Sequence, residues 1–111
     1  MVSIRLTSEM WVSALKKRCD SHAIPFFLVK KGDKQAGAIL IRVSDLCGRS
    51  KIFEQVSRVD GNQQWVEIAN GFDTEIEEVL RKQIVFDNDI WILEVEEFKG
   101  INFFEDFLNI I

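Results

Sequence analysis

The spacing of apolar and polar positions along the chain changes twice. Between Thr7 and Pro25 the apolar side chains recur three and four positions apart, which is typical of a helix with one buried face. Thr7 or Ser8 can cap the start of this helix with a side-chain oxygen. Pro25 ends it, because the residue before a proline is disfavoured in helical backbone angles. The predicted buried stripe comprises Trp11, Val12, Leu15 and Cys19.

After Pro25 the apolar positions follow a period of two, which predicts strands. Turn sequences separate the runs, among them Asp60-Gly61, a dipeptide that favours a tight hairpin. Short links join antiparallel neighbours, so we expect an antiparallel meander. The four predicted strands cover residues 26–31, 36–44, 50–57 and 63–69.

A second helix and a fifth strand complete the pattern. Thr74 and Glu77 form a capping pattern ahead of apolar positions at helical spacing, and residues 90–98 predict the last strand. The chain order is then α-β-β-β-β-α-β. It predicts a single α+β domain over residues 1–111, with both helices packed on one face of an antiparallel sheet. An apolar C-terminal tail covers residues 101–111.

Charges on two of the strands predict where the last strand lies. Lys30 and Lys31 belong to the first strand, and Glu94, Glu96 and Glu97 belong to the last. Opposite charges on neighbouring strands stabilise a sheet by roughly 0.2–1 kcal/mol per pair. We therefore expect the last strand beside the first, in the spatial order 5-1-2-3-4.

Composition adds an uneven distribution of charge. The 111 residues carry 14 Lys and Arg against 18 Asp and Glu, a net charge of −4. Residues 1–58 contain 11 basic and 5 acidic side chains, or +6, whereas residues 59–111 contain 3 and 13, or −10. The predicted strand pairing converts part of this asymmetry into an interaction within the chain. The charges of the acidic second helix and of the exposed lysines of the first helix are left uncompensated within the chain and are available to a partner.

Several protein classes are disfavoured. No stretch approaches the roughly 18 apolar residues of a membrane span, and the N-terminal segment lacks the pattern of a secretory signal. Two cysteines are too few for a disulfide framework, and a single histidine excludes a multi-histidine metal site. We expect a cytoplasmic protein without a cofactor.

Three stretches, at residues 5–19, 30–43 and 83–96, resemble the alphaproteobacterial domain-of-unknown-function family 1491. The resemblance covers nearly the whole chain, and the GDxxAG turn at 32–37 and the FDxDIW segment at 86–91 make it specific. The family usually has a proline between the two aspartates, where this chain has Asn88. The resemblance implies a cytoplasmic bacterial protein with no assigned activity, and it supplies no catalytic residue.

Cys19 and His22 are one candidate for chemistry. They place a thiol and an imidazole three positions apart, and a neighbouring imidazole is what activates cysteine nucleophiles. A zinc half-site with Cys47 is a second possibility. Beyond Asp20, no orienting carboxylate and no oxyanion donor is evident. A cysteine packed in the core is the simpler interpretation, and we assign no catalytic residue and no metal ligand.

Asp87 and Asp89 pose a similar choice. Two carboxylates can hold a hard cation, but aspartates at helix ends also accept local backbone hydrogen bonds, and no third oxygen ligand follows from the spacing. If the protein is instead a small enzyme or ligand-binding protein, its pocket lies between the helices and the sheet. The candidate binding residues for that hypothesis are Trp11, Arg18, Asp87, Asp89 and Trp91.

The basic N-terminal half could also contact nucleic acid weakly, although a pI near 5.0 opposes this. The tail is more informative, because its apolar side chains must be covered by the chain's own sheet, a second subunit or a membrane. Glu105 and Asp106 interrupt it without any Lys or Arg, so an anionic bilayer fits poorly. The leading hypothesis is a cytoplasmic interaction module that forms a homodimer or binds another protein, through the tail and an exposed sheet edge. The interface candidates are Phe103, Phe104, Phe107 and Leu108.

Overall fold

A five-stranded sheet with one helix on each face forms the protein, in a computed structural model that describes residues 6–57, 59–60 and 63–97. The predicted chain order and the α+β class are confirmed. The predicted tail at 101–111 lies outside the described residues. The elements are α1 (Ser8–Ser21), β1 (Phe26–Lys30), β2 (Ile39–Ser44), β3 (Arg49–Ser57), β4 (Gln63–Phe72), α2 (Asp73–Phe86) and β5 (Trp91–Glu96).

The strands lie in the order β1-β5-β2-β3-β4, so the predicted order 5-1-2-3-4 is wrong. The last strand does pair antiparallel with β1 as predicted, but it also pairs parallel with β2. The sheet is therefore mixed, not fully antiparallel. β5 lies inside the sheet, between β1 and β2, and β1 and β4 form the two edges of the described sheet.

The side chains of β5 explain why it lies inside the sheet and not at an edge. Trp91, Ile92 and Leu93 form a continuous apolar run, and each is at most 2% exposed. A strand that is apolar on both sides is stable only where both faces of the sheet are covered. At an edge, β5 would expose these side chains. This burial outweighs the small energy that charge pairs across strands can contribute.

The charges that led to the pairing prediction do not meet across the strands. Lys30 lies opposite Ile92, and its ammonium donates hydrogen bonds to the carbonyl oxygens of Asn88 and Ile90 at 2.6 and 3.2 Å. Glu94 lies opposite Phe27 instead. The neighbours were predicted correctly, but for a reason that the structure does not support.

The two helices lie on opposite faces of the sheet, so the predicted packing of both on one face is wrong. Alternate residues of the central strands explain the division: Ile39 and Ile41 of β2 pack with α1, whereas Leu40 between them packs with α2. β5 divides in the same way, with Leu93 on the α1 side and Ile92 on the α2 side. Both faces of the sheet are apolar and must be buried, and each helix buries one of them.

The start of α1 follows the sequence closely. The Thr7 hydroxyl oxygen accepts the N–H of Met10 at 3.2 Å, so the predicted cap is confirmed. The start of α2 does not follow the prediction. This helix begins at Asp73, and Glu75 accepts the N–H of Phe72 at 3.1 Å, so Thr74 lies inside the helix.

Three segments interlock at one end of the sheet, and we call this arrangement the junction: the first turn of α1, the turn at 32–37, and residues 87–91. The N–H groups of Ser8 and Glu9 donate to the carbonyl oxygens of Gln35 and Lys34 at 3.2 and 3.0 Å. These are groups that a helix start leaves without partners inside the helix. The turn thus takes the place of a preceding helical turn.

The other side of the same turn holds β5. The N–H of Asp33 donates to the carbonyl oxygen of Asp89 at 2.9 Å, and the indole N–H of Trp91 donates to the Asp33 carbonyl oxygen at 2.7 Å. The Ser8 hydroxyl, which is buried, donates to the carbonyl oxygen of Gly37 at 2.6 Å. The turn is therefore bonded to α1 and to β5 at once.

Gly32 and Gly37 are required here by close approach of the backbone. A Cβ at Gly32 would lie 2.7 Å from the Ile90 carbonyl carbon, and one at Gly37 would lie 2.9 Å from Asp33 backbone atoms. Gly32→Ala or Gly37→Ala must therefore separate segments that are bonded together. We expect each to lower the free energy of unfolding by about 2–4 kcal/mol, measured by urea denaturation.

Gly71→Ala is the matched control, because a Cβ at Gly71 would meet only the flexible side chain of Glu75, at 3.2 Å and beyond. We expect it to cost about 1 kcal/mol or less. Equal losses at all three glycines would contradict the interpretation that the junction depends on close backbone approach.

Candidate functional site

The five predicted binding residues fall in different layers of the fold. Trp11 is half-buried and packs against the core on the α1 side, and Arg18 is partly buried in the last turn of the same helix. Asp87 directly follows α2, on the other side of the sheet. Trp91 is 2% exposed and belongs to the core. The sheet separates the two helices that were expected to enclose a common pocket with it.

A shallow, open depression of about 320 Å³ lies on the outer surface of α1. Glu9, Ser13 and Lys17, on one face of the helix, line it together with Met10 and Ala14. None of these was a predicted binding residue, and the depression is not enclosed by a second layer of the fold.

Asp87 and Asp89 serve the backbone. One carboxylate oxygen of Asp87 accepts the N–H of Asp89 at 3.0 Å, and the Asp89 carbonyl accepts the N–H of Asp33 in the junction. Within residues 6–57, 59–60 and 63–97, no group of three His, Cys, Asp or Glu is placed to hold a metal ion. The Asp87 carboxylate thus makes the local hydrogen bond that the simpler interpretation predicted, whereas Asp89 takes part through its backbone N–H and carbonyl.

Cys19 is fully buried in the core on the α1 side, and burial raises the pKa of its thiol to about 12. The negative charges of Asp20 and Glu97 are smaller contributions to the same rise. The His22 imidazole lies at the surface, with Nδ1 at 3.0 Å from the Arg18 carbonyl oxygen and 3.1 Å from the Ser21 hydroxyl. A thiol in this environment stays protonated at neutral pH, so it is a core side chain and not an activated nucleophile.

A polar cluster that sequence reasoning missed lies on the α2 side of the sheet. Arg42 of β2 is only 12% exposed, and its guanidinium lies 3.2 Å from the carboxylate of Asp73 and 3.7 Å from that of Glu94. Glu77 lies 3.9 Å away, and Arg42 Nε donates to the Ser50 hydroxyl at 3.2 Å. One cation thus joins β2, β3, β5 and the first turns of α2.

This cluster fastens α2 to the sheet. The Ser50 hydroxyl donates to Asp73 at 2.5 Å, and this bond, followed by the charge and hydrogen bond of Arg42, holds the pKa of Asp73 below its usual value. A faint signal was present in the sequence, because Arg42 is a charged residue between Ile41 and Val43 in a strand that is otherwise apolar. Such a residue needs partners on the covered face.

The longest run of exposed apolar side chains on a strand, among the described residues, is at β1, and we call Phe27, Leu28 and Val29 the β1 edge. These side chains are 47%, 51% and 58% exposed, although they follow one another on a strand of the main sheet. A bulge between Leu28 and Lys30 ends the regular pairing with β5.

The opposite edge, β4, is better protected. Its pairing with β3 shifts at a bulge between Ile52 and Phe53, which disrupts the straight outer edge that a new strand needs. Glu67 is held by Lys51 at 2.9 Å. Val66 and Ile68 are 37% and 39% exposed, less than any residue of the β1 edge, and Phe72, at 58%, lies at the end of the strand under the Arg49 guanidinium.

The remaining interface candidates, Phe103, Phe104, Phe107 and Leu108, lie outside the described residues. Among the helices of the described ranges, none is long and apolar enough to cross a membrane. Basic side chains of the N-terminal half are dispersed: Lys16 pairs with Asp20 at 2.8 Å on α1, and Arg49 stacks over the Phe72 ring at 4.7 Å beside α2.

Comparison with known proteins identifies relatives of this architecture. The chain matches the family model described as "Protein of unknown function (DUF1491)" over residues 6–105. A crystal structure of a DUF1491 family protein from Caulobacter crescentus CB15 is 28% identical, with a TM-score of 0.76, and the match covers 85% of this chain and 90% of that one. A protein from Agrobacterium tumefaciens, solved in solution, is 29% identical, with a TM-score of 0.73 over 85% of this chain and 87% of that one. No curated protein matches the chain.

The burial of Cys19 predicts selective alkylation. We expect iodoacetamide at neutral pH to modify only Cys47 in the folded protein, because Cys47 is exposed and Cys19 is buried with a raised pKa. Mass spectrometry then shows one added group in the native state and two after unfolding in urea. The Cys47→Ser variant is the control and gains no group while folded. Rapid native modification of Cys19 would contradict the assignment of this thiol to the core.

The lowered pKa of Asp73 predicts a dependence of stability on pH. A carboxyl with a lowered pKa in the folded state stabilises the fold above its unfolded pKa, and this contribution is lost as the pH falls through the folded pKa. The Asp73 side chain is 37% exposed, so screening by solvent limits the effect. We expect Asp73→Asn to lower the free energy of unfolding by up to about 1 kcal/mol at neutral pH. The difference from the wild type disappears in acid.

Urea denaturation at several pH values below 7 measures this difference. The control is Asp89→Asn, which changes an exposed carboxylate outside the cluster. A loss at Asp73 that persists unchanged in strong acid would show that the ionised carboxylate is not what stabilises the start of α2.

Proposed function

The chain belongs to the DUF1491 family of proteins of unknown function, and we propose that it is a small cytoplasmic interaction module that self-associates. One observation carries the proposal: the β1 edge exposes three consecutive apolar side chains on a strand that, within the described residues, pairs with another strand on one side only. An edge strand offers backbone N–H and carbonyl groups to another strand, and apolar side chains beside it add contact area.

Isolated apolar side chains at a surface are ordinary and need no partner. The β1 edge differs because its side chains alternate between the two faces of the sheet. Phe27 pairs with Glu94, which is on the α2 side, and Leu28 pairs with Leu93, which is on the α1 side. A partner that docks here contacts the edge and both faces at once.

The charge of Lys30, the last residue of the strand, does not block this approach. Proteins often place lysines on an edge strand to repel other strands. Here the Lys30 ammonium is bound to the carbonyl oxygens of Asn88 and Ile90 of its own chain. The charge is thus turned toward the β5 end of the junction and away from an incoming strand.

The tail is the second part of the proposal. The β1 edge is one short strand, whereas stable protein interfaces bury about 1,200–2,000 Å² in total. The apolar side chains of Phe103, Phe104, Phe107 and Leu108 would supply further area in a dimer. The two free cysteines support a reducing compartment, since Cys47 is exposed and neither cysteine is in a disulfide.

Self-association is tested with a charge on the β1 edge. We expect the wild type to change from one chain to two as its concentration rises through the micromolar range, and Leu28→Lys to stay monomeric, because it places a charge in the contact. Light scattering coupled to size-exclusion chromatography measures both masses. Leu46→Lys is the matched control: this leucine is 54% exposed, against 51% for Leu28, and lies on the turn between β2 and β3.

A chain that ends at Gly100 tests the contribution of the tail. We expect it to dimerise more weakly than the wild type, with circular dichroism confirming that each variant is folded. A wild type that stays monomeric up to roughly millimolar concentration would overturn the proposal, as this is the weak limit of specific association. Equal dimerisation of Leu28→Lys and Leu46→Lys would exclude the β1 edge as the contact.

A further inference from the structure

We propose that the β1 edge pairs with β1 of a second copy, antiparallel about a two-fold axis at Phe27. This inference rests on the proposed self-association and specifies its geometry. It predicts that the two five-stranded sheets join into one sheet of about ten strands, and it names the residues that face each other.

Backbone direction selects the register. The N–H of Glu96 donates to the carbonyl oxygen of Pro25 at 3.2 Å, so the polar groups of Pro25 face β5. Successive residues of a strand direct these groups to alternate sides. Those of Phe27 therefore also face β5, and those of Phe26 and Leu28 face away from the sheet.

A two-fold axis at Phe27 uses all of these outward groups. It places Phe26 opposite Leu28 of the second copy and Leu28 opposite its Phe26, which gives four N–H···O bonds. An axis at Leu28 would place Phe26 opposite Lys30, which follows the bulge and pairs with Ile92 of its own sheet. That register leaves the outward groups of Phe26 without a regular partner.

The side chains fit the same register. Phe27 lies beside Phe27 of the second copy on the α2 side, a position at which aromatic rings can pack against each other. Phe26 lies beside Leu28 on the α1 side, so every facing pair is apolar. Pro25, which has no N–H, faces Val29 of the second copy and needs no donor there, because its polar groups are directed to β5.

Pairing between two β1 strands is favoured over pairing between unlike edges, because it ends at two copies. Pairing of β1 with β4 of another copy would leave one edge open at each end and continue into a filament. Both edges carry a bulge, but that of β4 interrupts the middle of the strand, opposite Ile52 and Phe53, whereas that of β1 follows Leu28 and leaves Phe26 to Leu28 in regular pairing. Pairing of β1 with itself uses the apolar edge of both copies and ends there.

Cysteine cross-linking tests the register. In a Cys47→Ser background, Phe27→Cys places two thiols at the axis, where the Cα atoms of a non-hydrogen-bonded pair are about 4.5 Å apart, within the range of a disulfide. Val29→Cys places them about four positions apart along the strands, or roughly 13 Å, which is too far. Cys19 is buried and does not compete. We expect mild oxidation to link Phe27→Cys into a covalent dimer and to leave Val29→Cys unlinked.

Amide hydrogen exchange of the wild type provides a second readout that needs no substitution in the contact. The N–H groups of Phe26 and Leu28 should exchange more slowly at high protein concentration than at low concentration, because only the dimer bonds them. The N–H of Phe27, which faces β5 in the monomer, should show a much smaller change. NMR spectroscopy resolves the three amides individually.

The outcomes separate the two proposals. Linking at residue 27, together with protection of the amides of Phe26 and Leu28, supports the axis at Phe27. If the wild type dimerises but Val29→Cys links in preference to Phe27→Cys, or the amides of Phe26 and Leu28 show no protection, this geometry is overturned and self-association is left intact. A wild type that is monomeric at every concentration overturns both.

Discussion

The junction at one end of the sheet is the constraint on which the rest of the structure depends. Its central turn accepts two N–H groups from the start of α1 and bonds to Asp89 and Trp91 on the other side. Because Gly32 and Gly37 have no side chains, the backbone segments approach within hydrogen-bonding distance. This contact fixes where α1 begins and where β5 enters the sheet, and both facts determine which side chains are covered.

The two segments that make the family resemblance specific are both part of this contact. The turn at 32–37 and the segment at 86–91 are far apart in sequence, yet they bond to each other. The Asp33 and Asp87 carboxylates accept backbone N–H groups, and Trp91 is a core residue whose indole N–H donates to the Asp33 carbonyl oxygen. These residues specify the fold, and so the search for function moves to surfaces that the fold leaves uncovered.

The position of β5 creates such a surface. Its apolar run is buried between β1 and β2, with α1 on one side and α2 fastened on the other by Arg42 and Asp73. β1 is thereby displaced to the edge, where the side chains of Phe27, Leu28 and Val29 are exposed. The surface proposed for self-association is thus a consequence of the same packing that stabilises the centre of the sheet.

The sequence alone predicted the pairing of β1 with β5, but from charges that do not meet across the strands. It determined the elements, their order along the chain and the Thr7 cap, because these follow from local periodicity and turn chemistry. It also identified Cys19 as a core side chain. Only the tertiary structure decided that β5 is an internal strand and that the helices lie on opposite faces of the sheet. It also decided that Arg42 is surrounded by carboxylates from separate elements. These features depend on which faces of a sheet can be covered at the same time, and periodicity along one segment contains no information about its neighbours in space.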